Sequence, residues 1–219
     1  MARTYHWIAP VHDILARIVE GKARRTAVGM SGLSNGESVL EVAVGTGLNI
    51  PLVAQLNPKG RYIGVDITPR MLRRARRRLA RTGADPNRYT LGPGDAYNLP
   101  FEEAIFDVLI NSYMFDMLPQ KDFAVVLREF RRVLRPGGRL IMINMTPGPR
   151  LYHQIWEQIY RLHPPLLGGC RGIRLGQAAR DSGLQLLREA FVSQWTFPSE
   201  VLLCRKPGSD TSVPHALRD

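Results

Sequence analysis

The chain has 219 residues, of which 44% are hydrophobic, and its formal net charge is +11. This length is typical of one domain with a sizeable core, and the absence of any long apolar run argues against a membrane-spanning protein. Two cysteines argue against a disulfide scaffold, and the mixed charges near the N-terminus are not typical of a secretory signal, so we predict a cytoplasmic protein with reduced thiols.

Residues 1–33 precede the first strand pattern and contain an apolar stripe at helical spacing. The stripe consists of Val11, Ile14, Leu15, Ile18 and Val19. It predicts a helix that either packs on the core or forms an N-terminal helical lid over a ligand site, and such a lid could lie on a membrane. Tyr5 and His12 stand just before the stripe, where they could line a pocket, and His12 could abstract a proton.

Strand and helix patterns alternate through residues 34–145. Apolar stretches predict strands at Ser38–Val44, Tyr62–Asp66, Tyr89–Leu91, Phe106–Asn111 and Arg139–Asn144. Helical patterns cover Ile50–Leu56, Pro69–Arg81 and Phe123–Leu134, and Gly137-Gly138 is expected to close the last of these helices. This alternation predicts a parallel sheet covered by helices on both faces.

The first strand pattern runs into a glycine turn. The turn is Gly45-Thr46-Gly47, and an apolar helix-like segment resumes at Leu48. A buried strand, a tight glycine turn and a helix start are the setting for a nucleotide-like ligand, because glycine lets the backbone turn sharply and approach the ligand closely. Glu41 lies inside the apolar strand, and a buried carboxylate is costly unless it is paired. The ammonium of a sulfonium-bearing amino acid could pair with it.

Two further acids follow successive strand patterns. Asp66 ends the second strand, about 20 residues past the glycine turn, where an acid accepts hydrogen bonds from ribose hydroxyls. Asp95 follows the third strand and could accept a hydrogen bond from an adenine amine. Glu41, Asp66 and Asp95 together therefore predict a site that addresses the amino acid, ribose and base of one ligand.

Arginines crowd the predicted helix Pro69–Arg81. Its inward face is apolar, whereas Arg73, Arg77 and Arg81 share the outward face. This surface is either a solvated helix face or a contact for anionic lipid or phosphate, and the net charge itself either favours such partners or reflects lineage bias. No aromatic residues alternate with these arginines, which disfavours single-stranded nucleic acid as a partner. The histidines and cysteines lack metal-ligand spacing, so we predict no metal site.

Residues 146–206 depart from the alternation. Leu151–Leu162 has a helical pattern that His163-Pro-Pro ends, and Gln177–Ser182 predicts a short helix. We expect this substrate-side insertion to be followed by two final strands, Leu184–Phe191 and Val201–Arg205. Residues 207–219 are polar and are expected to form a flexible tail.

These motifs resemble those of class I S-adenosylmethionine-dependent methyltransferases. Glu41-Val-Ala-Val-Gly-Thr-Gly47 is similar to their first motif, Gly-Val-Asp66 to the second and Gly-Asp95-Ala96 to the third. Gly-Val-Asp-Ile-Thr-Pro-Arg-Met-Leu72 and Leu99-Pro-Phe101 resemble the branch that holds the ubiquinone/menaquinone C-methyltransferases and the bacterial phospholipid N-methyltransferases. The resemblance covers residues 35–145 and implies a Rossmann-like, doubly wound, mostly parallel seven-stranded sheet.

The resemblance also implies which residues contact the cofactor, S-adenosylmethionine. The implied cofactor residues are Glu41, Ala43, Gly45, Thr46, Gly47, Asp66, Ile67, Asp95, Ala96 and Asn111, and the implied substrate-side residues are Tyr113 and Met114. Ala43 departs from the family, which has glycine there, and alanine is expected to be tolerated if the position only packs against a neighbour. No motif identifies a catalytic group, so Tyr5 and His12 are the candidates.

The implied function is methyl transfer to a lipid-like acceptor, either a phospholipid amine or a quinone ring, or to a small metabolite. For such a reaction the protein mainly supplies proximity, orientation and exclusion of water. The alternatives are a non-catalytic cofactor-binding protein on the same fold and a nucleotide-dependent oxidoreductase, although Ile50 stands where the latter needs a third glycine or an alanine. The segment after the fourth strand lacks the double proline of nucleic-acid amino-methyltransferases, which disfavours base methylation. An anionic membrane surface at the inner face is a candidate partner, and the oligomeric state is left open.

Overall fold

The computed structural model describes residues 19–153, 155, 156, 158 and 171–208. The candidates Tyr5 and His12, the stripe before Val19, most of the predicted helix Leu151–Leu162 and the tail from residue 209 lie outside the described residues.

Seven strands form one sheet. In chain order they are β1 (Ser38–Val42), β2 (Arg61–Asp66), β3 (Tyr89–Pro93), β4 (Phe106–Ser112), β5 (Leu134–Met145), β6 (Gln185–Gln194) and β7 (Phe197–Arg205). Their order across the sheet is β3-β2-β1-β4-β5-β7-β6. Strands β1 to β5 pair in parallel, whereas β7 runs antiparallel to both β5 and β6. The predicted Rossmann-like, mostly parallel sheet is therefore confirmed.

Helices cover both faces of this sheet, as predicted. They are α1 (residues 19–30), α2 (Ile50–Leu56), α3 (Pro69–Leu79), α4 (Phe123–Val133) and α5 (Gly176–Asp181). Leu40, Leu109 and Leu140 pack with α4 and α5 on one face. On the other face, Ile141 packs with α1 and Ile110 packs with α2 and α3. Successive strand residues point to opposite faces, which is why strands buried on both sides are almost continuously apolar.

The described termini of several elements differ from the sequence expectations. The expectation that Gly137-Gly138 closes a helix is wrong: α4 ends at Val133, and β5 begins at Leu134 without an intervening turn. Gly137 instead has a φ of +78° within an irregular start of β5, where its N–H donates to the carbonyl of Lys206 at 2.8 Å. Strand β7 also begins at Phe197, four residues earlier than predicted, because it pairs with β6 up to a two-residue turn.

Parallel pairing brings several strand ends to one edge. Val42 at the end of β1 pairs with Val65 on one side and with Asn111 on the other. The carboxyl ends of β1, β2 and β4 therefore meet where ligands bind in open α/β sheets.

Candidate functional site

The loop after β1 uses left-handed backbone at three positions. Ala43, Gly45 and Gly47 have φ values of +57°, +55° and +78°. Ala43 does pack against the core, but its left-handed backbone adds a cost that packing alone does not impose on alanine. A non-glycine residue in this region costs about 1–2 kcal/mol, which explains why glycine suits the position.

The two glycines of the loop serve different purposes. A Cβ on Gly45 would meet nothing closer than the carbonyl oxygen of Ala43 at 3.9 Å, so its backbone conformation is what favours glycine. A Cβ on Gly47 would lie 2.5 Å from the Cδ1 of Ile50 and 3.2 Å from the Cα of Ala75. Gly47 thus allows α3 to pack directly against the loop.

Asp66 ties the end of β2 to this loop. One carboxylate oxygen accepts the N–H of Gly45 at 2.8 Å, and the other accepts the N–H of Thr68 at 2.8 Å. Burial raises the pKa of the Asp66 carboxyl, although these two hydrogen bonds oppose the shift. A carboxylate has about four acceptor sites, so Asp66 retains capacity to accept a ribose hydroxyl. The adjacent Ile67 is 72% exposed, so it offers an apolar surface beside the carboxylate.

Glu41 lies fully buried in β1 and is hydrogen-bonded by the protein itself. Its carboxylate accepts the hydroxyl of Tyr62 at 2.6 Å and the side-chain amide of Asn49 at 2.9 Å. Burial raises the pKa of Glu41 to about 7. Two donors do not fill the acceptor capacity of a carboxylate, so a ligand ammonium could still bind here.

Arg24 extends this network to helix α1. Its guanidinium donates to the side-chain oxygen of Asn49 at 3.3 Å, pairs with Glu20 at 2.6 Å and lies 5.3 Å from the centre of the Tyr113 ring. The Nε of Arg24 is buried and has no hydrogen-bond partner among the described residues. A buried cation with an unused donor could bind an anionic ligand group such as a carboxylate. Nothing in the sequence indicated these contacts, because Arg24 lies among other basic residues.

Asn111 occupies the carboxyl end of β4. Its amide nitrogen donates to the carbonyl of Val42 at 3.0 Å. Its side-chain oxygen is buried and has no partner within the described part of the chain. A buried unsatisfied acceptor is costly, so this oxygen could receive a donor from a ligand at the junction of β1 and β4.

Tyr113 and Met114 follow directly and are nearly buried. The hydroxyl of Tyr113 lies 2.8 Å from that of Ser199, and its backbone φ is +53°. The sulfur of Met114 lies 3.5 Å from the amide nitrogen of Asn111. Both side chains therefore stand beside the strand end, and Tyr113 packs in the same cluster as helix α1.

The segment after β3, which carries Asp95, is more exposed to solvent than the strand ends that carry Glu41 and Asp66. Asp95 is exposed, and its carboxylate accepts the N–H of Tyr97 at 3.0 Å. The half-buried Ala96 packs against the core. The N–H of Gly94 approaches the carbonyl of Asp66 at 3.4 Å, so the segment that carries Asp95 lies next to the end of β2.

Two further residues, Arg78 and Asp116, make contacts that were not expected from the sequence. Arg78 points toward the loop rather than to solvent, and donates to the carbonyl of Thr46 at 2.5 Å and to its hydroxyl at 3.1 Å. Asp116 is fully buried after β4 and accepts the N–H of Met145 at 2.7 Å, and burial raises its pKa to about 8. Neither residue occurs in a motif that local spacing could reveal.

Comparison with known proteins assigns this site to a family. Residues 39–138 match the model described as a methyltransferase domain. The chain is 30% identical over 174 residues to the ubiquinone/menaquinone biosynthesis C-methyltransferase UbiE of Ectopseudomonas mendocina, covering 77% of this chain and 67% of that protein. It is 30% identical over 167 residues to the demethylmenaquinone methyltransferase of Thermus thermophilus, covering 74% of each.

Solved structures support the same fold. A methyltransferase from Aquifex aeolicus that depends on S-adenosylmethionine (SAM) matches with a TM-score of 0.67 and 17% identity, over 87% of this chain and 93% of that chain. Magnesium protoporphyrin IX methyltransferase from Synechocystis, solved with bound S-adenosylhomocysteine (SAH), matches with a TM-score of 0.69 and 17% identity, over 88% of this chain and 87% of that chain. Within the described residues, no helix is both long and apolar enough to cross a membrane. The chain thus belongs to the class I S-adenosylmethionine-dependent methyltransferases, in the ubiquinone/menaquinone C-methyltransferase branch, and S-adenosylmethionine is its cofactor.

Proposed function

We propose that this methyltransferase methylates a lipid-like acceptor and that the acceptor is a quinone ring. The observation behind this proposal is the 30% identity to relatives named for ubiquinone and menaquinone methylation. A phospholipid amine is the second candidate, and a small soluble metabolite is the third.

The buried polar groups at the carboxyl edge suggest how the cofactor is held. Asp66 would accept the ribose hydroxyls, and Asp95 and Ile67 would contact the adenine. The unsatisfied oxygen of Asn111 and the carboxylate of Glu41 would receive the ammonium. The unused Nε of Arg24 would face the carboxylate. The bound cofactor supplies a methyl group that is already activated by the positive charge on sulfur.

The protein's own contribution is then position and exclusion of water. Arg24 connects helix α1 to Asn49, and Tyr113 packs under the same helix, so the described part of the N-terminal region would form one wall of the acceptor pocket. Removing water and holding the acceptor in line with the methyl group lowers the entropic barrier to displacement. Tyr5 and His12 remain candidates for accepting the proton that a ring carbon loses.

The proposed regions follow from this arrangement. Residues 1–33 would act as the helical lid, 34–145 as the cofactor-binding core, 146–206 as the substrate side and 207–219 as a tail. Exposed Arg73, Arg77 and Arg81 would attract an anionic membrane surface, where a lipid-like acceptor is found.

The test is to incubate the purified chain with methyl-labelled S-adenosylmethionine and separate acceptors. The acceptors are demethylmenaquinone, phosphatidylethanolamine and a soluble metabolite extract, and mass spectrometry identifies the labelled product. We expect label on the quinone ring. Label confined to phospholipid or to soluble metabolites would overturn the quinone assignment.

Asp66→Ala is the control that shows whether the transfer in this assay depends on cofactor bound at the proposed site. Loss of charge-assisted hydrogen bonds should weaken cofactor binding by about 2 kcal/mol or more, measured by calorimetric titration. Transfer by this variant should fall in parallel with cofactor occupancy for every acceptor. A folded variant with unchanged affinity would refute the role given to Asp66.

A further inference from the structure

The turn between β6 and β7 holds a large aromatic residue in a conformation that suits glycine. Gln194 pairs with Phe197, so Trp195 and Thr196 form a two-residue hairpin turn. Their φ values are +49° and +66°. Two positive φ values are typical of a type I′ turn, for which Asn-Gly is strongly preferred. Folding alone would therefore favour a different pair of residues here.

Trp195 is also exposed. Its side chain is 74% accessible, the largest fraction among the exposed large hydrophobic residues described. Trp156 contacts the turn from one side. Its indole N–H donates to the hydroxyl of Thr196 at 3.1 Å, and its ring centre lies 5.1 Å from that of Phe197. The turn is thus held in place while Trp195 projects into solvent.

Other exposed apolar side chains lie on the segments that meet at the turn, where His153 lies 3.3 Å from the hydroxyl of Ser193. We define the hairpin-tip patch as Tyr152, Ile155, Phe191 and Trp195, which are 38%, 57%, 48% and 74% exposed. His153 joins two of them, with ring centres 4.3 Å from Tyr152 and 5.4 Å from Phe191. A patch of tryptophan, tyrosine and phenylalanine on a protein surface indicates an interaction site, and tryptophan and tyrosine concentrate at membrane–water interfaces.

Basic residues flank this patch. The guanidinium of Arg150 lies 5.8 Å from the centre of the Tyr152 ring. The backbone N–H of Lys22 donates to the side chain of Gln194, which directly precedes Trp195, and the Lys22 and Arg25 side chains are exposed. Cations beside interfacial aromatic residues are complementary to anionic lipid headgroups.

The patch lies at the edge of the sheet that carries the cofactor site. Met145 at the carboxyl end of β5 pairs with Ser199, two residues beyond the start of β7. The hydroxyl of Ser199 in turn contacts Tyr113 at the substrate side. A surface on which the patch rests would therefore lie close to the acceptor pocket.

We propose that the hairpin-tip patch docks on an anionic lipid bilayer, with Trp195 inserted among the headgroups. This proposal rests on the lipid-like acceptor proposed above. It names the protein surface that contacts the membrane in which such an acceptor lies. The flanking cations Lys22, Arg25 and Arg150 supply attraction to the headgroups that salt screens, whereas Trp195 supplies apolar contact that salt does not screen.

The test measures binding of the whole chain to vesicles of phosphatidylglycerol and phosphatidylcholine at low and high salt. Trp195→Asn suits this test, because asparagine tolerates positive φ and the variant should fold at least as stably as the parent. We expect about ten-fold weaker partitioning for this variant at both salt concentrations, the loss that follows from leaving one large aromatic side chain in water. The tryptophan emission of the chain, to which Trp7 and Trp156 also contribute, should shift further to the blue with vesicles in the parent than in the variant.

Two control variants separate the possible outcomes. Leu56→Ala removes an exposed apolar residue at the end of α2, and should leave partitioning unchanged. Lys22→Gln with Arg25→Gln removes two exposed cations beside the patch and should weaken binding at low salt only. Equal partitioning of the parent and Trp195→Asn, or equal loss with Leu56→Ala, would overturn the proposal.

A final methylation assay distinguishes failure of the docking proposal from failure of the proposed function. Trp195→Asn should methylate a short-chain, water-soluble quinone at the parental rate, but should methylate the same quinone less well when it is embedded in vesicles. If neither protein methylates any quinone while vesicle binding still depends on Trp195, the acceptor assignment fails and the docking surface stands.

Discussion

Ala43 shows how one residue can fit a motif and still strain the backbone. It holds a φ of +57° at the end of β1, between Val42 and the glycine turn. Alanine's Cβ crowds the following carbonyl in this conformation, whereas glycine has no Cβ. The neighbouring N–H of Val44 still donates to the carbonyl of Val65 at 3.0 Å, so the sheet contact on the far side of Ala43 is preserved.

Ala43→Gly should therefore stabilise the protein. Relief of the left-handed strain outweighs the added flexibility of the unfolded chain, and we expect a gain of about 0.5–1 kcal/mol. Urea unfolding measures this gain. Ala104 also has a left-handed backbone, with a φ of +56°, but lies far from the site, so Ala104→Gly is the matched control for relief of backbone strain alone. Lower stability for Ala43→Gly would show that the methyl group makes a packing contribution larger than the backbone strain.

At the scale of elements, the glycine loop and helix α3 act as one unit. Gly47 lets Ala75 approach the loop, and Arg78 from the same helix donates to Thr46. Asp66, at the strand end just before α3, accepts the N–H of Gly45. A displacement of α3 would therefore change both the loop and the carboxylate proposed to bind ribose.

Substitutions at the two glycines should separate backbone strain from helix packing. Gly45→Ala should cost about 1–2 kcal/mol of unfolding free energy, the penalty for left-handed alanine. Gly47→Ala should cost more, because its Cβ would also overlap Ile50 and press on Ala75. Urea denaturation followed by calorimetry with the cofactor would rank them. Equal costs would contradict the close packing of α3 on the loop.

At the scale of the whole molecule, buried carboxyls set the pH dependence of stability. Burial raises the pKa of Glu41 and Glu200 to about 7 and that of Asp116 to about 8. In the unfolded chain these groups titrate near pH 4. Between these pH values the folded protein binds more protons than the unfolded chain, so their contribution to stability falls as pH rises.

We expect the free energy of unfolding to decrease from about pH 5 to about pH 8 because of these groups. His153 has a lowered pKa and acts in the opposite direction below about pH 6.5, so the decrease should be clearest above that value. Asp116→Asn keeps an acceptor for the N–H of Met145 but removes one titrating group. Its unfolding free energy, measured by urea titration across this range, should depend less on pH. An unchanged slope would show that Asp116 is ionised in the folded protein.

Local patterns of the sequence determined the fold class and the strand-end acids. The run from Val39 into Gly45-Thr46-Gly47 predicts a buried strand and a tight turn, because apolar periodicity and glycine conformation act over a few residues. Asp66 could be placed for the same reason, since the length of one βα unit fixes its distance from the turn. These features also sufficed to recognise the family, which the comparisons confirm.

Only the tertiary structure decided which side chains meet at the site. Arg24, Asn49, Glu41 and Tyr62 form one buried network, although they come from α1, the loop, β1 and β2. The left-handed conformation of Ala43 and the exposed Trp195 turn likewise depend on how distant segments pair. Such contacts arise from packing and strand register, which join residues far apart in the chain and leave no periodic trace in the sequence around any one of them.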